Sequence, residues 1–537
     1  MSHGIRAADP KGGVMGRLRL NAERGMVLPI TLGILTVLSL SVVVVIQSSS
    51  SNARASYRNK GDQNAFVLAE AGINNAMAVL LKPGTNALDR YIYCPETSNP
   101  NSPPALPCWN TSSYEGGSVQ WTGTLTVSSG SAYWTLQSTS TVRNPAGGSK
   151  AIQRTLTARA PVYPAPSQPL NSPSWNYIYE RNVGTGQAFN GCDMTVGNSV
   201  AIASPLYANG NLCFINQATM LGSAGKLFVR GSLTFANSSG GSVGSSSSPI
   251  SEAHIAKGCD YKGTRRTPCV NGAPTAGSNV FATTLDSNAG AIEAPNVLWN
   301  DWYLNASPGP YYPCLAPTGG EAPNPTWSFD PTVAAGNATD AVKLTYKNNN
   351  AGLINLTPST SYSCKTFAGE LSWNASTRVL TIRGTMFIDG SVKVDNGFTN
   401  SYVGQGVIYI SGTLLVKNSK LCGKLDGTNC TTSGWNPNEN LITFVVNGTG
   451  ASPAPDNQVP VDIGAQLVSS HVQSAIYATY NIEVGTTSLV DGPLDGATVI
   501  LGQTSNSAFP PFTIVPSGMP GNSAVYAVAG NPEMFSG

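Results

Sequence analysis

Catalysis would need a nucleophile, a base or a metal set, and few residues of this chain qualify. Gly240–Gly244 reads Gly-Gly-Ser-Val-Gly, a match to G-x-S-x-G. A nucleophile elbow needs a strand before the serine and a helix after it, and this match sits in a serine–glycine tract. The three histidines, His3, His254 and His471, fall in no H-E-x-x-H or triad pattern. Asp389, Asp395, Asp491 and Asp495 are the carboxylates that a glycosidase or lyase would recruit. Asp389-Gly390 and Asp491-Gly492 read better as turn pairs, because both residue types favour tight reversals. No C-x-x-C occurs, so a zinc site has little support. The expectation is a chain with no catalytic residue, no metal and no cofactor.

Cysteine chemistry is the stronger signal. Cys94, Cys108, Cys192, Cys213, Cys259, Cys269, Cys314, Cys364, Cys422 and Cys430 make an even set of 10. All lie beyond the apolar segment described next, and an even count on an exported chain reads as disulfides. Pairing neighbours in order gives 94–108, 192–213, 259–269, 314–364 and 422–430, each a local staple. Spacing alone leaves the connectivity open.

The element that must position all of this is at the start. Met26 to Ile46 carries no charge, and a helix of that length is roughly 31 Å long, enough to cross a bilayer core. Arg17, Arg19 and Arg24 precede it, with Arg6 and Lys11 further back; this places the N-terminus in the cytoplasm and the rest outside. The run is long and lacks a small-residue cleavage site after it, so a retained anchor is the better reading than a cleaved signal peptide. Beyond a serine patch, Ala65, Leu68, Ala69, Gly72, Ile73, Ala76, Val79 and Leu80 repeat at three and four residues. That is the stripe of an amphipathic helix, with Lys82, Pro83 and Gly84 as its stop. The helix is expected to run on from the membrane, softened at the serines, and to dock its second half on a globular domain.

A basic leader, a glycine, a spanning helix and an amphipathic continuation resemble a type IV prepilin. The Arg24-Gly25-Met26 start and the segment AFVLAEAGINNAM resemble, more narrowly, the PilX-type minor pilins. The resemblance implies cleavage by a prepilin peptidase after Gly25, methylation of the new terminus Met26, and assembly with other pilins through the helix. It also exposes a departure. Major pilins carry a glutamate at the fifth mature position; here Ile30 stands there, after Pro29. A carboxylate in the membrane is costly without a partner, and a subunit at the leading end has none ahead of it. The departure favours a minor, initiating or tip role.

The exported part is too long for one ordinary domain. Residues 83–160 hold alternating stretches such as VQWTGTLTV and YWTLQSTSTV, which predict a small antiparallel sheet packed on the helix. Residues 161–180, rich in proline, read as a linker. Residues 181–537 contain five similar segments: LYANGNLCF (206–214), LFVRGSLTF (227–235), MFIDGSVKV (386–394), IYISGTLLV (408–416) and IYATYNIEV (476–484). Short apolar strands about a tight corner, recurring near every 20 residues, predict a β-solenoid. A β-sandwich is the alternative. An insertion at about 240–375, pinned by four cysteines, is expected to project from its side, with Trp302, Tyr303, Tyr311 and Tyr312 as a contact surface or a small loop core.

The fold class expected is therefore α+β, mostly β. A leader (1–25) precedes the helix (26–82), the small sheet, the linker and the solenoid. Only 11% of residues are charged and the net charge is +2, which gives no electrostatic case for nucleic acid. The function expected is a minor pilin-like subunit that primes a filament or sits at its tip, anchored in the membrane before assembly, with a head whose extracellular ligand the sequence does not name. The alternatives are an anchored adhesin or structural protein outside any pilus, and a β-helix carbohydrate-active enzyme.

Overall fold

The computed structural model describes residues 27–82, 87, 92–94, 106–128, 131–147, 149–182, 191–236, 241–272, 278–299, 302, 353–359, 361–365, 368–388, 391–448, 462–485, 487–502, 509–522 and 527–536. Among the described residues one long α-helix, α1 (Val27–Leu80), leads into a mostly β chain. The helix is 54 residues and unbroken, about 80 Å at the standard rise. The expected softening at Ser48–Ser51 does not occur; serine costs a helix only about half a kcal/mol. Ser50 Oγ also donates to the Gln47 carbonyl at 3.1 Å. Pro29 sits in the first turn, where its missing N–H would have had no helical partner.

The second half of α1 lies across an antiparallel sheet. Asn110–Tyr114, Gly117–Ser128, Ser131–Val142 and Ile152–Pro164 pair in chain order. The sheet is then completed from the far end of the chain: Ala527–Ala529 and Glu533–Ser536 both pair with Ile152–Pro164. Residues 527–536 therefore belong to the helix-bearing domain, and the expected boundary that assigned 181–537 wholly to the head is corrected.

The head is built on parallel pairing. A 16-stranded and an 11-stranded sheet run side by side, with a 3-stranded sheet on a third side. The repeated segments align as their spacing requires: Leu206 lies beside Leu227 and Met386 beside Ile408. Other two-strand units stack in the same way, one strand in each large sheet. Ile250–Ile255 lies on Lys226–Val229 and Cys259–Tyr261 on Leu233–Ala236. Leu441–Val446 lies on Gln405–Ile410 and Ile463–Val468 on Leu414–Lys417. Leu494–Gly496 lies on Ser474–Ala478 and Val499–Leu501 on Asn481–Val484. Inward side chains form one apolar core that includes Leu206, Leu227, Met386, Ile408 and Ile476.

Chain order and stacking order differ. Ile178–Glu180 pairs on one side with Leu206–Ala208 and on the other with Leu494–Gly496. The neighbouring sheet repeats this arrangement with Met194–Val196 beside Val499–Leu501. The chain thus enters near the middle, builds outward to Ala282–Asp286, crosses to the far end, and builds back until its last strands meet its first. Residues 161–180 are accordingly no free linker. Gln168–Pro169 pairs with Ile514–Val515, Trp175 is fully buried with its Nε1 donating to the Pro520 carbonyl, and Ile178–Glu180 is an interior strand.

The crossing explains the insertion. It begins after Asp286, not at 240, because Ser242–Val243, Ile250–Ile255 and Ala282–Asp286 are all strands of the stack. Its first stretch does not project. Tyr207 Oη donates to the Gly290 carbonyl at 2.7 Å and Tyr179 Oη to that of Ile292 at 2.7 Å. Trp299 meets Tyr409 edge-on, and Trp302 stacks on the same ring at 5.8 Å. This stretch and the segment around Phe512 and Met519 cover the outer face of the large sheet and make a second core. Buried on both faces, the strand Leu441–Val446 has no exposed position, which is why it reads as a continuous apolar run. Trp302 is therefore a core residue; Tyr303, Tyr311 and Tyr312 lie outside the described residues.

The meeting of the two ends buries charge. Asp495 is fully buried and its Oδ1 lies 2.9 Å from Arg181 Nε; Arg181 also donates to the Ala478 carbonyl and rests on the Tyr477 ring. Burial pushes Asp495 up to about 7 against the pull of Arg181. Glu180 is also fully buried, with Oε2 accepting from the Gly210 N–H at 2.9 Å; burial pushes its carboxyl up to about 9. Between about 4.5 and 9 the folded chain holds a proton at Glu180 that the unfolded chain has lost. Stability must therefore fall as pH rises through that window. Glu180→Gln, which keeps an acceptor for Gly210, is expected to flatten the fall between pH 7 and 9 in urea denaturation; an unchanged slope would remove Glu180 as its source.

Candidate filament-packing helix

Two halves of α1 have opposite surroundings. From Leu28 to Lys60 every residue is exposed, and Leu28–Ile46 is apolar apart from Thr31, Thr36, Ser39 and Ser41. Those hydroxyls fold back: Thr31 Oγ1 donates to the Leu28 carbonyl at 3.0 Å, Ser39 Oγ to Leu35 at 2.7 Å, and Ser41 Oγ to Val37 at 2.8 Å. Thr36 does the same to Leu32. A surface with its few polar groups satisfied internally suits lipid or other apolar helices. Covering each large side chain would contribute about 1.5–3 kcal/mol.

The second half is seated. Ala65, Ala69, Ile73, Ala76, Met77 and Leu80 are buried, with Leu68 and Val79 packed at the edges. This is the stripe expected from the sequence, with Met77 added. The small residues permit close approach. Ser140 Oγ donates to the Ala65 carbonyl at 2.5 Å, and a Cβ on Gly72 would overlap the Ser138 hydroxyl and the Val119 side chain. Tyr93 ties the far end, its Oη donating to the Ala76 carbonyl at 3.0 Å and its ring edge-on to Trp134 at 5.2 Å. Burial raises the Tyr93 phenol well above its ordinary value.

Gly25 and Met26, the expected processing residues, lie outside the described residues, as does His3. Among the described residues four disulfides join Cys94–Cys108, Cys192–Cys213, Cys259–Cys269 and Cys422–Cys430; of the expected pair Cys314–Cys364, Cys314 lies outside the described residues and Cys364 is on the strand Tyr362–Lys365.

The residues that could have done chemistry are dispersed. Ser242 stands on the strand Ser242–Val243 of the 3-stranded sheet, parallel to Thr219–Met220. His254 stacks on Phe228 at 4.8 Å and places Nδ1 2.7 Å from Asp286 Oδ1; this bond holds the Asp286 carboxyl below its usual range. His471 Nε2 lies 2.8 Å from Asp491 Oδ2. Asp495 belongs to the buried junction, Asp395 follows the strand Ser391–Val394, and Asp389 lies outside the described residues. The four carboxylates named from the sequence do not form one cluster among the described residues. Glu180 and Asp495 sit on paired strands but on opposite faces, since Asp495 lies beside Tyr179 and Glu180 beside Gly496; the acidic neighbour of Glu180 is Asp193. Sequence reading missed Glu180 because its bonded partner is a backbone N–H, that of Gly210, which leaves no side-chain signal.

No protein-family model matches the chain, and no curated protein does. Among solved structures, the competence-associated pilin ComZ from Thermus thermophilus aligns over 89% of this chain and 98% of its own, at 10% identity and a TM-score of 0.36. At that score the likeness carries no functional weight, and the case for a role rests on the residues of this chain.

Gly72→Val forces a branched side chain into the Ser138 and Val119 contact. It is expected to cost about 1–3 kcal/mol, seen as a lower urea midpoint for the helix-bearing domain. An unchanged midpoint would mean that the helix is not held at Gly72.

Proposed function

We propose that the chain is a minor pilin-like subunit whose exposed apolar half-helix spans the membrane before assembly and packs among neighbouring helices in a filament afterwards. The observation that carries this is the asymmetry of α1. One rigid rod is bare and apolar for its first third and seated on a folded sheet for its last. A plain anchor has no need of a rigid continuation into the domain it holds; a subunit that must be lifted from lipid into a helical bundle does.

Processing after Gly25 and methylation of Met26 belong to the same proposal, as do the prepilin peptidase and the other pilins as partners. We read the head as a β-solenoid, on the strength of its parallel strands and near-20-residue spacing, and as a binding rather than a catalytic body. Its bulk, together with Ile30 in place of an assembly glutamate, favours the leading end of the filament over the shaft, where copies would collide.

N-terminal mass spectrometry of the protein from its native host, with and without the prepilin peptidase, is the test. The expected result is a peptide starting at methylated Met26 that disappears without the peptidase. A chain starting at Met1 in both strains would leave an anchored surface protein. Immunogold labelling is expected at filament ends, and even decoration along the shaft would overturn the tip placement.

A further inference from the structure

In the second half of the head the 16-stranded sheet continues through Thr399–Val403, Lys420–Cys422, His471–Val472 and Leu489–Val490, and this face carries a cleft of about 390 Å³. Its floor is a ladder of outward side chains on successive parallel strands: Thr399 lies beside Lys420, Lys420 beside His471, and His471 beside Leu489. One wall is a column of corner residues, all in the left-handed region: Gly397 at φ 71°, Asn418 at 50°, Ser469 at 49° and Thr487 at 58°. Left-handed backbone is rare for a β-branched residue such as Thr487. The column presents an amide and two hydroxyls to solvent. The opposite lip is the hairpin Leu425–Asp426/Asn429–Cys430, closed by the Cys422–Cys430 disulfide. Lys420 Nζ fixes that lip, donating to the Thr428 carbonyl at 3.0 Å and to Asn429 Oδ1 at 2.5 Å. At one end Phe398 stands half exposed, with the Arg378 guanidinium 3.7 Å over its ring.

This chemistry is selective. The residues facing the cleft include an amine and an imidazole but no carboxylate. Asp491 lies behind His471 and is already bonded by His471 and by Gln473 at 3.3 Å, and Asp426 sits in the lip hairpin opposite Asn429, outside the cleft lining. Neutral hydrogen-bonding groups line the wall, and at one end the Phe398 ring is half exposed, with Arg378 over one of its faces. Neighbouring strands are about 4.8 Å apart, close to the length of one pyranose unit, so the cleft repeats its groups at the pitch of a linear glycan laid along the stack. Lys420 and His471 on adjoining strands would then face carboxylates on adjoining sugars.

We propose that this cleft binds a linear acidic glycan, with Phe398 against a sugar face, Asn418, Ser469 and Thr487 on its hydroxyls, and Lys420 and His471 toward its carboxylates. The site does not depend on how α1 assembles.

The test is calorimetric titration of the full-length chain in detergent with a hexauronate, against the same hexamer after carboxyl reduction. The hexauronate is expected to bind at least tenfold more tightly than the reduced form. Phe398→Ala is expected to weaken it about tenfold with an unchanged melting temperature. Asn418→Gly, which keeps the corner backbone and removes the amide, should weaken it several-fold and stands in if Phe398→Ala melts early. No binding of either hexamer at millimolar concentration, equal or tighter binding of the reduced form, or full affinity in both variants would overturn the proposal.

Discussion

The parallel pairing of Ile178–Glu180 with Leu494–Gly496 makes two half-stacks into one body. Without it each half would end in a bare row of backbone donors and acceptors, an aggregation hazard for any sheet. With it the apolar core runs from one half to the other without a break. The pairing comes with buried acid groups: Asp495, which Arg181 answers at 2.9 Å, and Glu180, which burial keeps protonated. Removing one partner of such a set is far more damaging than never having built it. The seam therefore tolerates Asp495 while Arg181 stays in place and Glu180 while it stays protonated.

The glycines of the repeated segments have a different cause from the one the sequence suggests. A corner glycine reads as a residue freed for a tight bend. Gly210 and Gly231 do not hold left-handed backbone. A Cβ on Gly231 would instead overlap the Gly210 carbonyl on the next strand, and one on Gly448 would strike Gly412. Close stacking of one corner on another demands the small residue. The left-handed positions fall on the neighbouring corner, where Asn418, Ser469 and Thr487 do the bending.

Local pattern therefore carried some elements and not others. The stripe Ala65–Leu80 was legible because helical periodicity and sheet burial both act along the chain. Segments such as LFVRGSLTF were legible because both strands and the corner fit within nine residues. Leu441–Val446 and Ile463–Val468 form the same unit, but 16 residues separate them (447–462) and break the spacing. Gly241–Val243 sits in a serine–glycine tract, yet a Cβ on Gly241 would press on the Ala218 carbonyl; the small residue is there for packing. The cleft had a faint signal: Ser419, Ser470 and Ser488 each precede, by two residues, a buried Leu421, Val472 or Val490. A three-residue cue repeated across about 70 positions is hard to separate from composition. The junction at Ile178 had no local signal, because nothing in a short segment says that it will meet residue 494.

The chain passes between the helix-bearing sheet and the head twice. It leaves after Pro164 and returns before Ala527, and the two passages lie side by side, bonded from Leu170 to Thr513 at 2.8 Å and from Asn171 to Asn522 at 3.1 Å. A pull applied between the head and α1 would divide between these two passages. Both end in the strand Ile152–Pro164 or in strands hydrogen-bonded to it, so a pull would load several antiparallel bonds in shear at once instead of unzipping one strand. The same arrangement removes the swivel that a single linker would supply, and makes the head a rigid extension of the rod beneath it.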